Sequence, residues 1–238
     1  MKRRVAILLS MVCVLSMIGI GLGYWSHSTE KMAHTMPKEE KQSIEELTGK
    51  PKWDAADMEL LRRQTGLSRE ALLYLEENGR KEEITALQEA YFRPITITCT
   101  SNTIVTKEER VADAWGQPAK GMEIPYVENG DILITGCSHC LGWRNGHAAI
   151  VVDAEKRLIL EAQVLGAPAV IVSMDYWERY PSFLVLRLEG ADKEERAAIA
   201  AYAKEYLVGV PYRLTAGITD RLIQKKPVTT PAGTQCAH

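Results

Sequence analysis

The stretch LGWRNGHAAIVVD, residues 141–153, decides the fold that this sequence predicts. A glycine turn comes directly before His147, which opens a run of small and β-branched residues typical of a buried strand. GDILIT at 130–135 precedes this run, and similar short apolar runs occupy 95–100, 158–160, 169–172 and 183–188. Mostly antiparallel strands, followed by a helix at 192–207 that Asp192 can cap, indicate an α+β fold.

The composition is that of an ordinary globular protein. Of 238 residues, 46% are hydrophobic and 25% are charged, which excludes a wholly disordered or collagen-like chain. The net charge is −2, so the chain has no basic excess with which to neutralise a phosphate backbone. We therefore expect no nucleic-acid partner.

Residues 1–25 are predicted to be a membrane segment. Three basic residues, 2–4, precede the uncharged run Val5–Gly23, which is long enough to cross a membrane as a helix. A secretory signal peptide has the same pattern, but we favour a retained anchor because the run is long for a signal. We expect a membrane-anchored protein with its main domain outside the cytoplasm, or a secreted one if the segment is cleaved.

Two regions with different patterns of polar and apolar residues follow the membrane segment. Residues 26–41 are polar without an apolar period and predict a linker. Residues 42–93 carry apolar side chains at helical spacing, interrupted by glycine-containing stops, and predict a small helical appendage without chemistry of its own. The main domain is predicted at 94–238.

His147 requires a partner before it becomes a catalytic candidate, because a lone histidine at a strand start is usually structural. If 147–152 and 156–161 form a hairpin centred on Ala154, His147 lies directly opposite Glu161. The carboxylate would then orient the imidazole. A register slip of one residue would send the acid to the other face of the sheet.

Cys236 is the candidate nucleophile. It follows the Pro/Gly-rich stretch 227–233, which suits a helix beginning near the cysteine. The positive end of a helix dipole and a nearby histidine both lower the pKa of a thiol. The thiolate would attack a carbonyl, His147 would move the proton and Glu161 would hold the ring.

In the order His, acidic residue, Cys, the segments GDILIT, GWRNGHAAIVV, LEA and TQCAH resemble the circularly permuted branch of the NlpC-type papain-like cysteine hydrolases. YPSFLVLRL and LVGVPYRLTAG also resemble bacterial members, and the resemblance covers about 127–238. It implies a permuted papain-like core, with an antiparallel sheet and packed helices, and an amidase or peptidase that often acts on cell-wall peptides. Related permuted members are acyltransferases or thioesterases acting on lipids. It also implies that Cys236 is the nucleophile, His147 the base and Glu161 the third polar residue; we expect no cofactor.

The sequence departs from the family pattern after the nucleophile. Family members continue Cys236 into a long core helix, whereas only Ala237 and His238 follow here, and two residues cannot complete a helical turn. We therefore expect the chain as written to be a weak or inactive enzyme. The alternative is a non-catalytic binding domain of the same fold.

CSHC at 137–140 has three interpretations. The first is a pair of incidental loop cysteines, the second is a disulfide, and the third is a zinc site completed by Cys236 and His238. We expect no metal. Cys99, within an alternating run, is predicted to be a buried strand residue.

Three residues are candidates for substrate binding. Trp143 and Arg144 lie on a predicted loop just before His147, where an aromatic plane and a guanidinium suit a peptide and its carboxylate. Tyr212 follows a proline and is a candidate for the same cleft. For Trp143 and Tyr212 the alternative is a purely packing role.

Overall fold

A computed structural model describes residues 2–29, 37–103, 106–140 and 143–213 of the chain. Its helices are α1 (Lys2–Thr29), α2 (Glu45–Thr48), α3 (Ala55–Thr65), α4 (Arg69–Glu77), α5 (Glu83–Phe92), a 3-10 helix (Met174–Arg179) and α6 (Lys193–Tyr206). Its strands are β1 (Thr96–Ser101), β2 (Thr106–Ala112), β3 (Ile132–Thr135), β4 (Ser138–Cys140), β5 (Trp143–Arg144), β6 (His147–Asp153), β7 (Leu158–Glu161), β8 (Val170–Ser173) and β9 (Leu184–Leu186). The strands form two antiparallel sheets, so the predicted mixed α+β class is confirmed.

Helix α1 contains the apolar window Arg3–Leu22, with a mean hydropathy of 2.6 and no buried residues. It is long and apolar enough to cross a membrane. A cleaved signal sequence near an N-terminus has the same length and composition, so by these criteria the helix fits an anchor and a signal equally well.

Helices α2 to α5 surround a hydrophobic core of their own. Its buried side chains include Ile44, Leu61, Leu72, Leu75 and Ile84, as the helical spacing in the sequence predicts. The glycine-containing helix ends predicted from the sequence are also confirmed: Gly66 follows α3 directly and Gly79 lies two residues after α4, both with positive φ. Ser68 caps α4 by accepting a hydrogen bond from the backbone of Ala71.

The larger sheet, sheet B, has the strand order β8-β7-β6-β3-β9. One face packs against the 3-10 helix around Leu133, Val151 and Trp177. The other face carries Val152 and Leu160, which pack with Ala203 of α6. All five strands and α6 were predicted from the sequence within a few residues.

The smaller sheet, sheet A, has the order β1-β2-β4-β5, and only β1 was predicted. Strand β2 has the sequence TKEERVA, which lacks the apolar alternation by which strands are recognised. It pairs with β1 without interruption, from Lys107 opposite Ser101 to Ala112 opposite Thr96. Cys99 lies in β1, but its side chain is exposed, so the prediction that it is buried is wrong.

The N-terminus of α6 provides a stability prediction. Asp192 accepts a hydrogen bond from the backbone of Glu195, whose side chain accepts one from the backbone of Asp192. We expect Asp192→Ala to lower the free energy of unfolding by about 1 kcal/mol, as measured by urea denaturation. Asp192→Asn keeps the cap and is expected to lose less; equal losses in the two variants would contradict the capping role.

Candidate functional site

The candidate site lies at the end of sheet B where β6 begins. Gly146 precedes His147 with φ +72°, and a Cβ on it would come within 2.9 Å of the Thr135 carbonyl oxygen. Only glycine fits this close approach. The turn therefore fixes the backbone of His147, which pairs with Thr135 across to β3.

The imidazole of His147 and the carboxylate of Glu161 are in direct contact. His147 Nε2 lies 2.9 Å from Glu161 Oε2, and both residues are only 5% exposed. The carboxylate oxygen accepts, so the ring donates through Nε2 and turns its other nitrogen, Nδ1, away from the acid. This is the pair predicted from the sequence.

The predicted register of the hairpin is wrong by two residues. Glu161 pairs with Ala149 rather than with His147, and a bulge separates Val151 from Asp153. The pairs from Ala149–Glu161 to Val151–Ile159 are centred on residue 155, one residue later than predicted. Arg157, at the end of the turn, has a left-handed φ of 54°. A shift of two preserves the face, because side chains alternate with a period of two. His147 and Glu161 are therefore diagonal rather than direct neighbours.

Trp177 of the 3-10 helix completes this group. Its indole N–H donates to the same Glu161 oxygen at 2.9 Å, and its ring stacks on His147 with centroids 5.4 Å apart at 25°. Trp177 is fully buried. It therefore contacts both the acid and the imidazole, a role that its place in the sequence did not reveal.

A buried ion pair lies behind Trp177. Glu108 and Arg110 of β2 bind each other with almost no exposure. The Arg110 guanidinium lies over the rings of Tyr176 and Tyr180, at 3.8 and 3.6 Å from their centroids, and the two rings are at 79° to each other. The Tyr180 ring in turn packs edge-on against Trp177, 5.1 Å away. The cluster was not predicted from the sequence, because strand β2, which carries both charged residues, was not predicted.

Further hydrogen bonds surround the Glu108 carboxylate. It accepts from Tyr180 at 2.9 Å, from Tyr176 at 3.0 Å and from Gln163 at 2.9 Å. Burial alone would raise the pKa of Glu108, but the charge of Arg110 and these hydrogen bonds lower it below its ordinary value. Burial and the neighbouring carboxylate raise the pKa of Tyr180 well above its ordinary value. The cluster therefore holds one carboxylate and one guanidinium charged in the interior.

The candidate substrate-binding residues lie in β5 and beyond α6. Trp143 and Arg144 form strand β5 rather than a loop, and the Trp143 ring is 61% exposed. Arg144 binds Glu109 at 2.7 Å and donates to the Gly136 carbonyl at 2.6 Å, next to the end of β3 that faces His147. Tyr212 is buried, and its backbone N–H donates to the carbonyl of Ala167 at 2.9 Å.

Cys236 and His238 lie outside the described residues. Cys137 and Cys140 are buried free thiols, and no disulfide joins them. Cys137 lies in the short connection between β3 and β4, as the loop interpretation expects, whereas Cys140 lies in β4. Burial raises the pKa of Cys137, which makes it a core thiol. His139 of the same motif contacts Glu109 at 2.9 Å. Within the described residues, no group of three His, Cys, Asp or Glu side chains is placed to hold a metal ion.

Comparisons with protein-family models, with curated proteins and with solved structures found no significant match to this chain.

The Glu108–Arg110 pair gives a pH-dependent prediction. Arg110→Met leaves a carboxylate buried without its cation, and we expect it to lower the free energy of unfolding by about 3–5 kcal/mol at pH 7. Without the cation the pKa of Glu108 rises, so protonation relieves the variant and its deficit shrinks between pH 7 and pH 4.5. In the wild type the pKa is lowered, so the pair's contribution is present at neutral pH and is lost as pH falls.

Urea denaturation at both pH values measures this effect. The double variant Glu108→Gln/Arg110→Met removes both charges and is the control, expected to recover part of the loss at pH 7. A deficit independent of pH, unchanged by the second substitution, would show that Arg110 contributes packing rather than charge.

Proposed function

We propose that the protein is an exported thiol hydrolase that cleaves amide bonds, with cell-wall peptides as its substrate class, on a permuted papain-like core. The observation that supports this is the buried contact between His147 Nε2 and Glu161 Oε2. A carboxylate that accepts from one ring nitrogen fixes the tautomer, so that the other nitrogen carries the lone pair with which a histidine base takes a proton.

In the proposed reaction, Cys236 gives its thiol proton to His147 Nδ1, and the sulfur attacks the amide carbonyl carbon. The carbon–nitrogen bond breaks, and the amine leaves with the proton from the imidazole. A water molecule then gives a proton to His147 and attacks the thioester, which breaks the carbon–sulfur bond and releases the acid. Glu161 and Trp177 keep the ring in place as its charge changes.

Burial around the acid supports this assignment. The Glu161 oxygen accepts from two donors, one from the imidazole and one from Trp177, in a position that is almost closed to water. In such surroundings an imidazolium gains more from a neighbouring carboxylate than it would in water. An ordinary solvated strand glutamate would not have two buried donors on a single oxygen.

The pairing of Cys236 with His147 is tested by alkylation with iodoacetamide, followed by peptide mass spectrometry. Because the imidazole sustains the thiolate, we expect Cys236 to react faster than the exposed Cys99 at pH 6, and His147→Ala to abolish this advantage. Cys99 is the internal control, since its rate should be the same in both proteins. Equal rates at Cys236 with and without His147 would overturn the proposal.

Because the sequence predicts at most a weak activity, hydrolysis is tested by incubating the full chain for long times with purified peptidoglycan fragments and detecting new amino groups by mass spectrometry. Cys236→Ser and His147→Ala are expected to remove the product. Glu161→Gln, which keeps the shape but loses the charge, is expected to reduce the rate about a hundredfold or more. Cys99→Ser is the matched control and should retain the full rate; product formation that survives Cys236→Ser would exclude the mechanism.

A further inference from the structure

A cleft of about 890 Å³ lies at the opposite end of β6 from His147. Ala154 and Glu155, in the turn after β6, form one part of its wall, and Tyr74 of α4 forms another. Strand β6 is seven residues long, so the cleft is roughly 20 Å from the imidazole. It is therefore separate from the candidate catalytic site, although its size is typical of a ligand-binding pocket.

The wall of the cleft is rich in basic side chains. Six cationic residues line it: Arg80, Lys120, Arg157, Arg179, Lys193 and Arg196. Four of these are occupied by carboxylates of the protein, such as Arg157 by Glu178 and Lys120 by the same Glu178. Arg179 and Lys193 are exposed and make no ion pair with any residue that the structure describes.

The acidic side chains of the wall are mostly neutralised. Five carboxylates line the cleft, and four of them are in ion pairs: Glu123, Glu128, Asp175 and Glu178. Among the lining residues, one carboxylate (Glu155) and two cations (Arg179 and Lys193) are therefore outside these ion pairs. The charge available to a ligand is therefore positive, and it comes from the 3-10 helix through Arg179 and from α6 through Lys193.

Ion pairs and a backbone hydrogen bond connect the residues at the floor of the cleft. Glu178 is buried and binds Arg157 at 2.5 Å, Lys120 at 3.0 Å and the backbone N–H of Ile124 at 3.0 Å. Arg157 holds this position despite a left-handed φ of 54°, which is unfavourable for a side-chain-bearing residue. Backbone strain of this kind is found at functional sites, and the ion pair of Arg157 with Glu178 keeps the guanidinium in place without a ligand.

One wall is apolar and aromatic. The Tyr126 ring stacks on Tyr74 with centroids 4.5 Å apart, and Pro125 and Val127 flank it on the cleft lining. This wall offers apolar surface to a ligand larger than a simple inorganic anion. The volume, the two unpaired cations and this wall together fit a short peptide that carries carboxylates.

We propose that this cleft binds an acidic peptide, with carboxylates on Arg179 and Lys193 and the remainder of the chain along the Tyr126 wall. Opposite charges and a preformed floor supply the binding free energy. The site requires neither Cys236 nor His147, so it goes beyond the proposed hydrolysis.

The test uses the full chain and a blocked penta-glutamate peptide as the probe, with binding measured by isothermal titration calorimetry at low salt. We expect the double variant Arg179→Gln/Lys193→Gln to bind at least tenfold more weakly, and the wild-type affinity to fall as salt is raised. Lys204→Gln, an exposed cation on α6 outside the cleft, is the matched control and should bind as the wild type does.

Four further measurements test the ligand class and the independence of the site from Cys236. Blocked penta-glutamine and penta-lysine peptides should not bind, and Cys236→Ala should bind penta-glutamate unchanged. Inorganic phosphate alone should bind at least tenfold more weakly than the peptide. Absence of penta-glutamate binding, equal affinity in the double variant, or phosphate binding as tight as the peptide would each overturn the proposal. None of these outcomes affects the alkylation result at Cys236.

Discussion

One carboxylate oxygen, Glu161 Oε2, holds the candidate site together. It accepts from His147 of β6 and from Trp177 of the 3-10 helix, each at 2.9 Å. Two inner strands of sheet B and the 3-10 helix are therefore joined at a single buried acceptor, and both donors lose this hydrogen bond if that oxygen moves. Leaving two buried donors unsatisfied costs several kcal/mol, so the local packing is strongly constrained.

The second constraint is the charge that the interior encloses. Glu108 and Arg110 are almost completely buried, and the tyrosines that the guanidinium contacts also shape the pocket of Trp177. A buried ion pair adds little stability compared with apolar residues of the same volume, but removal of one charge strongly destabilises the fold because the other charge is left buried alone. Sheet A is thereby fixed to the 3-10 helix by chemistry that apolar packing alone would not specify.

Much of this arrangement could be predicted from the sequence, and the exceptions have physical causes. The strands of sheet B and the four helices from α2 to α5 have the apolar periods that their environments require. The contact of His147 with Glu161 was predicted although the strand register was not. A register error of two residues leaves both side chains on the same face of the sheet, because side chains alternate between the faces. Strand β2 was missed because its inward side chains are charged and satisfied by partners that lie up to 72 residues away. The role of Trp177 was not predicted, because nothing in the neighbouring sequence shows that its indole N–H donates to a carboxylate 16 residues away.

The separate core of the helical region affects how the molecule opens. Its buried side chains come from α2 to α5 and the adjoining turns, and Met122 and Tyr126 pack against it from the sheet region. Cooperative units of this kind open with their own free energies. Amide hydrogens of α3 to α5 are therefore able to exchange with solvent as one group while β6 and β7 remain closed, and a protease that recognises the opened helices would leave the two sheets intact.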